Sequence, residues 1–153
     1  MSAQPRGRRV GVDVGKVRVG VALSDPDGIL ATPVVTLSRD MGAAADSVPA
    51  DIAELVRLVA EHEAVQVVVG LPVRLNGSEG TAAIDIRAYA GRLARALGQV
   101  PVVLTDERMS TVVATRRLAE RGVRGKRQRA VVDQAAAVEI LQSWLDAQRR
   151  QTQ

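Results

Sequence analysis

Four acidic residues lie beside apolar segments, where a carboxylate is costly unless it is paired or bound to a metal. Asp13 stands inside the valine-rich run RVGVDV. Asp106 and Glu107 directly follow VPVVLT, and Asp133 follows AVV. Carboxylates that converge without a compensating Lys or Arg repel one another, and a divalent cation relieves that repulsion. The set therefore indicates a metal site with oxygen ligands. Taken singly, each acid could equally be a turn, capping or helix-dipole residue.

The composition excludes several other kinds of site. The chain has no cysteine and one histidine, His62. This excludes disulfides, thiolate zinc sites, a cysteine nucleophile and a multi-histidine metal site. A Ser-His-Asp triad would have to use His62. Any metal held by carboxylates alone would favour Mg²⁺ or Mn²⁺. With one Trp, one Tyr and no Phe, the chain is also poorly suited to binding bases by stacking.

The basic residues favour a polyanionic partner. The chain has 21 Lys and Arg residues against 17 Asp and Glu, a net charge of +4, and all but two of the basic residues are arginines. Arginine binds phosphate through two parallel hydrogen bonds. Arginines adjoin the acidic positions, and a basic segment leads into Asp133, so we predict nucleic-acid contacts there. The predicted contact residues are Arg18, Arg108, Arg124, Lys126, Arg127 and Arg129. Arg18 and Arg108 could instead form ion pairs that orient the acids. The segment 123–129 could instead be a solvated loop.

The hydrophobic pattern predicts the elements that must position these residues. Alternating or continuous apolar runs predict strands over 9–14, 17–24, 29–37, 65–70 and 100–105. Helical spacing predicts four helices, which start near Pro49, after Gly80, at Ser110 and at Ala130. An antiparallel meander followed by two β-α-β crossovers gives an α/β fold, a mixed five-stranded sheet with helices on both faces. Pro33 places the third strand at an edge of the sheet.

The length and the absence of long apolar runs set the expected organisation. We expect residues 1–153 to form a single domain, with 1–8 and 147–153 flexible. No apolar run approaches the ~20 residues needed to span a bilayer, and the N-terminal residues lack a signal-peptide core. We therefore expect a cytoplasmic protein without a membrane partner.

Four segments together resemble a known family. They read GVDVGKVRVGVALSD (11–25), VVVGLPVRLNGSEG (67–80), TDERMST (105–111) and VDQAAAVEILQSWL (132–145). Their order and spacing resemble the YqgF family, also called RuvX. This is a family of Holliday-junction-resolvase-like proteins regarded as pre-16S rRNA nucleases. The resemblance spans residues 9–145, nearly the whole chain.

The resemblance implies an RNase H-like fold and a catalytic, metal-binding set of Asp13, Glu107 and Asp133. Asp106 is a further candidate metal ligand, ranked below these three. In a two-metal mechanism with Mg²⁺ or Mn²⁺, Asp13 would bridge the two ions, and Glu107 and Asp133 would complete the separate sites. Arginines would neutralise the phosphate oxygens.

The resemblance leaves the substrate and the partners open. The implied substrate is structured RNA, a precursor of 16S rRNA, or branched DNA at a Holliday junction. Cutting a junction symmetrically would need a two-fold homodimer, whereas rRNA maturation would instead suggest the ribosome as a partner. A second class of function is that of an actin-like ATPase. Such enzymes close two domains of this type around a nucleotide, and 153 residues supply only one. A third class is a non-catalytic nucleic-acid or ribosome-binding module with the same fold.

Overall fold

The computed structural model describes residues 5–122 and 125–152, and these residues build one five-stranded sheet. The strands are β1 (Arg9–Val14), β2 (Arg18–Ser24), β3 (Ala31–Ser38), β4 (Gln66–Leu71) and β5 (Val102–Asp106). Their order across the sheet is β3-β2-β1-β4-β5. β1 to β3 form an antiparallel meander, and β4 and β5 continue from β1 in parallel. The predicted mixed sheet is therefore confirmed.

Helices cover both faces of this sheet. They are α1 (Ala50–Glu61), α2 (Thr81–Leu97), α3 (Val112–Gly122) and α4 (Lys126–Thr152), with a short 3₁₀ helix at Glu107–Met109. The apolar faces of α1 and α2 pack on one side, around buried residues such as Ile52 and Leu93. α4 packs on the other side through Ile140 and Leu141, joined by Val112 of α3. Within the ranges described, no helix is long and apolar enough to cross a bilayer.

Pro33 lies in β3, an edge strand, as its missing N–H requires. The β2–β3 register shifts between Val21 and Ala22, and Ala22 is the partner of Pro33. The proline thus coincides with a bulge, where a lost ladder hydrogen bond is tolerated best.

The predicted start of the last helix is wrong. A basic loop was expected over 123–129, but α4 already begins at Lys126. Gly125 has a φ of 85°, which glycine adopts at low cost, and its carbonyl accepts a hydrogen bond from Arg129 N–H at 3.3 Å. The residues that follow Gly125 are good helix formers, and the high local charge does not prevent helix formation. Residues 123 and 124 lie outside the described part of the chain, as do residues 1–4 and 153.

α4 lies directly on the sheet because two strands carry glycine beneath it. A Cβ atom on Gly20 of β2 would stand 2.0 Å from the backbone carbonyl oxygen of Asp133. A Cβ atom on Gly11 of β1 would stand 2.6 Å from the Cβ of Leu141. No larger side chain fits at either position without moving the helix. This close approach brings Asp133 down to the level of the sheet.

Candidate active site

Asp13 lies on the central strand with its side chain on the α4 side of the sheet. Side chains alternate between the two faces of a strand. Val10, Val12 and Val14 belong to the core beneath α1 and α2, so Asp13 shares the opposite face with Gly11. It is only 6% exposed. The apolar strand thus places a carboxylate in the interior, as its sequence context indicated.

Glu107 is the first residue beyond β5, and it too is buried, at 4% exposure. β5 is paired with β4, and Gly70 of β4 makes room for the glutamate. A Cβ on Gly70 would stand 3.0 Å from Glu107 Oε1 and 2.6 Å from Ile140 Cδ1. Ser110 closes the 3₁₀ turn, because its backbone N–H and its hydroxyl both donate to the Glu107 carbonyl, at 3.1 and 2.9 Å. The turn therefore fixes the direction of the glutamate backbone.

Asp133 enters the same region from α4. Its Oδ2 accepts a hydrogen bond from Nε of Arg18 on β2, at 2.6 Å. The pair is only partly buried, with the two side chains 34% and 21% exposed for arginine and aspartate. The ion pair named above as one alternative for Arg18 is thus the arrangement that the structure contains. Its contact with nucleic acid stays a prediction.

Arg116 of α3 is a site residue that the sequence did not reveal. Its guanidinium donates to Asp13 and to both carboxylate oxygens of Glu107, at 3.1 and 3.2 Å for the latter. It therefore supplies the positive charge that compensates Asp13 and Glu107. One signal was available: Arg116 lies one helical turn after Val112, which is fully buried, so it points toward the core. Its neighbour Arg117 is exposed.

The electrostatics of the site are dominated by burial. Burial raises the pKa of Asp13 to about 6, opposed by Arg116 and reinforced by the negative charges of Glu107 and Asp133. A raised pKa means that the charged form of Asp13 is destabilised even with Arg116 in place. A further cation would relieve this cost.

Asp13, Glu107 and Asp133 all line one cavity of about 300 Å³, and Arg116 lies in the same wall. The lining also includes Lys16 of the β1–β2 turn and Asp85 of α2. The three acids come from positions far apart in the chain. The structure thus brings together the three predicted carboxylates of the main set.

A half-buried arginine, Arg39, joins two of the segments that line this cavity. Arg39 follows β3, and it donates to both oxygens of Asp85 at 2.7 and 2.9 Å and to the carbonyl of Gly15 at 3.0 Å. Its guanidinium also lies over the ring of Tyr89, 5.1 Å from the centroid. These contacts join the β1–β2 turn to α2, so the position of Lys16 depends on residues outside the site.

Asp106 and Arg108 lie apart from the acids in the cavity wall and pair with each other. The Asp106 carboxylate accepts from the backbone N–H of Arg108 at 2.9 Å and from its guanidinium at 2.7 Å. The hydrogen bond from the Arg108 side chain lowers the pKa of Asp106. Asp106 therefore caps the 3₁₀ helix and holds Arg108, an arrangement that does not bring it to the other three acids.

Two of the remaining predicted nucleic-acid contacts have described side chains, at the start of α4. Arg127 and Arg129 are exposed there, in the first turns of the helix that carries Asp133. Arg124 lies outside the described residues, and so does the side chain of Lys126. The two exposed arginines place positive charge on the same helix as the cavity acid.

The donor set of the cavity fits a hard divalent cation. Aspartate and glutamate oxygens are the ligands that Mg²⁺ and Mn²⁺ prefer. Across residues 5–122 and 125–152, no three acidic or histidine side chains already enclose a point where an ion would sit. Arg116 and Arg18 hold the acids instead. Asp13, Glu107 and Asp133 would be the residues to hold a metal.

The comparisons with known proteins show the family of the chain. A family model described as "RuvX: Holliday junction resolvase" matches residues 7–147. A protein of Rhodococcus erythropolis (strain PR4) is 54% identical over 145 residues, which cover 95% of this chain and 81% of that protein. A protein of Mycobacterium sp. (strain KMS) is 56% identical over 144 residues, which cover 94% of this chain and 82% of that protein. Both are named "Putative pre-16S rRNA nuclease".

A solved structure shares the fold at low sequence identity. It is described as "T. thermophilus RuvC in complex with Holliday junction substrate". It matches with a TM-score of 0.53 and 17% identity, over 94% of this chain and 96% of that one. At this identity the likeness bears on the fold alone. With a family model that matches nearly the whole chain and relatives at more than half identity, the chain belongs to the RuvX family and has an RNase H-like fold.

Proposed function

We propose that this protein is a metal-dependent endonuclease that hydrolyses phosphodiester bonds in nucleic acid. The observation that carries the proposal is the convergence of Asp13, Glu107 and Asp133 on one cavity, two of them buried. Buried acids that reduce stability are common at functional sites, because the function needs a charge where folding does not. We further propose that residues 1–153 act as one domain in the cytoplasm.

The proposed catalytic roles follow from the position of each acid. Two divalent ions, Mg²⁺ or Mn²⁺, would activate the attacking water and stabilise the leaving oxygen when bound. Asp13, on the central strand, lies between the other two acids and is the proposed shared ligand. Glu107 and Asp133 would each complete the binding site of one of the two ions. Arg18 orients Asp133 through the 2.6 Å hydrogen bond from its Nε to Asp133 Oδ2.

The proposed substrate is structured RNA, a precursor of 16S rRNA, in line with the names of the relatives. The family description and the RuvC complex favour a second candidate, branched DNA at a Holliday junction. Arg127 and Arg129 would hold the phosphate backbone beside the cavity in either case. A junction substrate would require a two-fold homodimer, and an rRNA precursor would bring the protein to the ribosome.

The alternative is a non-catalytic nucleic-acid or ribosome-binding module. Such a protein would need the basic residues but not the three acids. The acids reduce stability unless something binds them, so their joint presence in one cavity favours catalysis over binding alone.

The experiment is a cleavage assay of the purified chain on a structured RNA with a 16S precursor end and on a synthetic four-way DNA junction. Each substrate is incubated with Mg²⁺, with Mn²⁺ and with a chelator. We expect metal-dependent cleavage of at least one substrate and none with the chelator. Parallel reactions with Asp133→Asn separate the enzyme from a contaminating nuclease. Binding of both substrates without cleavage under any condition would favour the non-catalytic module.

A further inference from the structure

Arg116 occupies the place of a cation between two of the acids, Asp13 and Glu107. It contacts Asp13 and both oxygens of Glu107, and within residues 5–122 and 125–152 these two acids form no other ion pair. Asp133, the third acid, is paired with Arg18 instead. A metal ion shared by Asp13 and Glu107 would need the oxygens that Arg116 now holds.

The side chain of Arg116 is positioned so that it can move away from Asp13 and Glu107. Its side chain is 31% exposed, at the edge of the cavity, whereas the two acids are almost fully buried. The helix that carries it is anchored at its start by the buried Val112, but Val113 and Leu118 of the same helix are 44% and 71% exposed. A rotation of the arginine side chain, or a small shift of α3, would free both acids without disturbing the sheet.

We propose that Arg116 and the divalent metal ions compete for Asp13 and Glu107, and that the displaced guanidinium then binds the phosphodiester of the substrate; this rests on the proposed nuclease function. A guanidinium cannot lose its charge by deprotonation, so once displaced it needs another anion. A phosphate in the cavity matches its planar set of donors.

This exchange couples metal loading to substrate binding. Without nucleic acid, Arg116 shields the two acids from each other and lowers their affinity for metal. A substrate phosphate that draws Arg116 away raises the metal affinity, and metal that displaces Arg116 raises the affinity for substrate by the same factor. The arginine thus acts in two places, as a substitute cation and then as a phosphate ligand.

The first test measures Mn²⁺ binding to the full chain by isothermal titration calorimetry, without nucleic acid. The variant is Arg116→Gln, and the matched control is Arg117→Gln, which removes an equal charge from the exposed neighbour on the same helix. An adjacent opposite charge changes the affinity of a carboxylate for a competing cation by roughly ten- to a thousandfold. We expect Arg116→Gln to bind Mn²⁺ at least about tenfold more tightly than wild type, and Arg117→Gln to stay within about twofold.

The second test measures the salt dependence of RNA-hairpin binding at saturating Mn²⁺. It uses an Asp133→Asn background, which blocks cleavage under the proposed function and leaves both contacts of Arg116 intact. One lost phosphate contact reduces the slope of log affinity against log salt by about 0.7 to 0.9. We expect this reduction on adding Arg116→Gln.

The outcomes separate the two proposals. Equal Mn²⁺ affinity in wild type and Arg116→Gln would overturn the exchange and leave the nuclease proposal standing. An equal gain in Arg117→Gln would overturn it as well, because the effect would then be one of net charge. An unchanged salt slope would overturn the transfer to phosphate. No Mn²⁺ binding by any variant would refute the metal-dependent function itself.

Discussion

Replacing Gly20 by alanine should displace α4 and with it Asp133. The added Cβ would stand 2.0 Å from the Asp133 carbonyl oxygen, more than an ångström inside a normal contact. The atom it meets is backbone, so no side chain can rotate away. Overpacking of this kind costs about 1–3 kcal/mol, and a backbone clash belongs at the upper end of that range. For a domain of this size, 1 kcal/mol shifts the melting temperature by about 2–4 °C. We therefore expect Gly20→Ala to lower it by about 6–12 °C.

The assay is thermal unfolding followed by circular dichroism, with Gly91→Ala as the matched control. Gly91 lies inside α2, where a Cβ would meet only the flexible end of Arg95, at 3.6 Å. Alanine in a helix is about 0.5–1 kcal/mol better than glycine, so this variant should gain about 1–4 °C. If Gly20→Ala melts within about 2 °C of wild type, α4 does not lie on β2 as described. The position of Asp133 would then need to be reconsidered.

Two further predictions concern nucleic-acid binding and pH. Replacing both Arg127 and Arg129 by Gln should weaken RNA binding and flatten its salt dependence. The control Arg150→Gln, at the far end of α4, should change neither. If filter binding gives the double variant the same slope of log affinity against log salt as wild type, the two arginines do not contact the RNA backbone. For Asp13 the pKa is about 6 in the fold against 3.8 unfolded, so the folded state binds more protons between these values. The metal-free protein should therefore lose up to about 3 kcal/mol as the pH rises from about 4 to above 6. Urea unfolding across this range should show that loss in wild type and less of it in Asp13→Asn, and the same loss in both would contradict the assignment.

The strands and the acids could be predicted because their signals are local. An aspartate inside a run of valines is visible in the sequence, and so is a glutamate directly after an apolar strand. Gly98 ends α2 with a φ of 73°, a backbone conformation that glycine adopts at low cost. These features depend on a few neighbouring residues, which is why pattern and turn chemistry were sufficient.

The features that escaped prediction depend on contacts between distant segments. Arg116 reaches Asp13 across 103 positions of the chain, and in the sequence only its spacing from Val112 distinguishes it from Arg117. Arg39 joins the β1–β2 turn to Asp85 in the same non-local way. The start of α4 escapes prediction because a run of charged residues is typical of a loop, although Gly125 and the helix formers after it begin a helix. The sequence thus pointed to the acids and to Arg18, which pairs with Asp133, but not to Arg116, which pairs with the other two acids.

The central claim is that Asp13, Glu107 and Asp133 act together on a phosphodiester. The most direct measurement is single-turnover cleavage in Mg²⁺ by Asp13→Asn, Glu107→Gln and Asp133→Asn, using whichever substrate the wild type cuts. Asp27→Asn is the matched control, because Asp27 is exposed in the β2–β3 turn and paired only with Arg6 among the described residues. Losing one electrostatic group at an active site lowers the rate by roughly a hundredfold or more. We therefore expect the cleavage rate of each of the three variants to be at least about a hundredfold below that of wild type, and the control to keep the wild-type rate. Wild-type rates in all three would contradict the account.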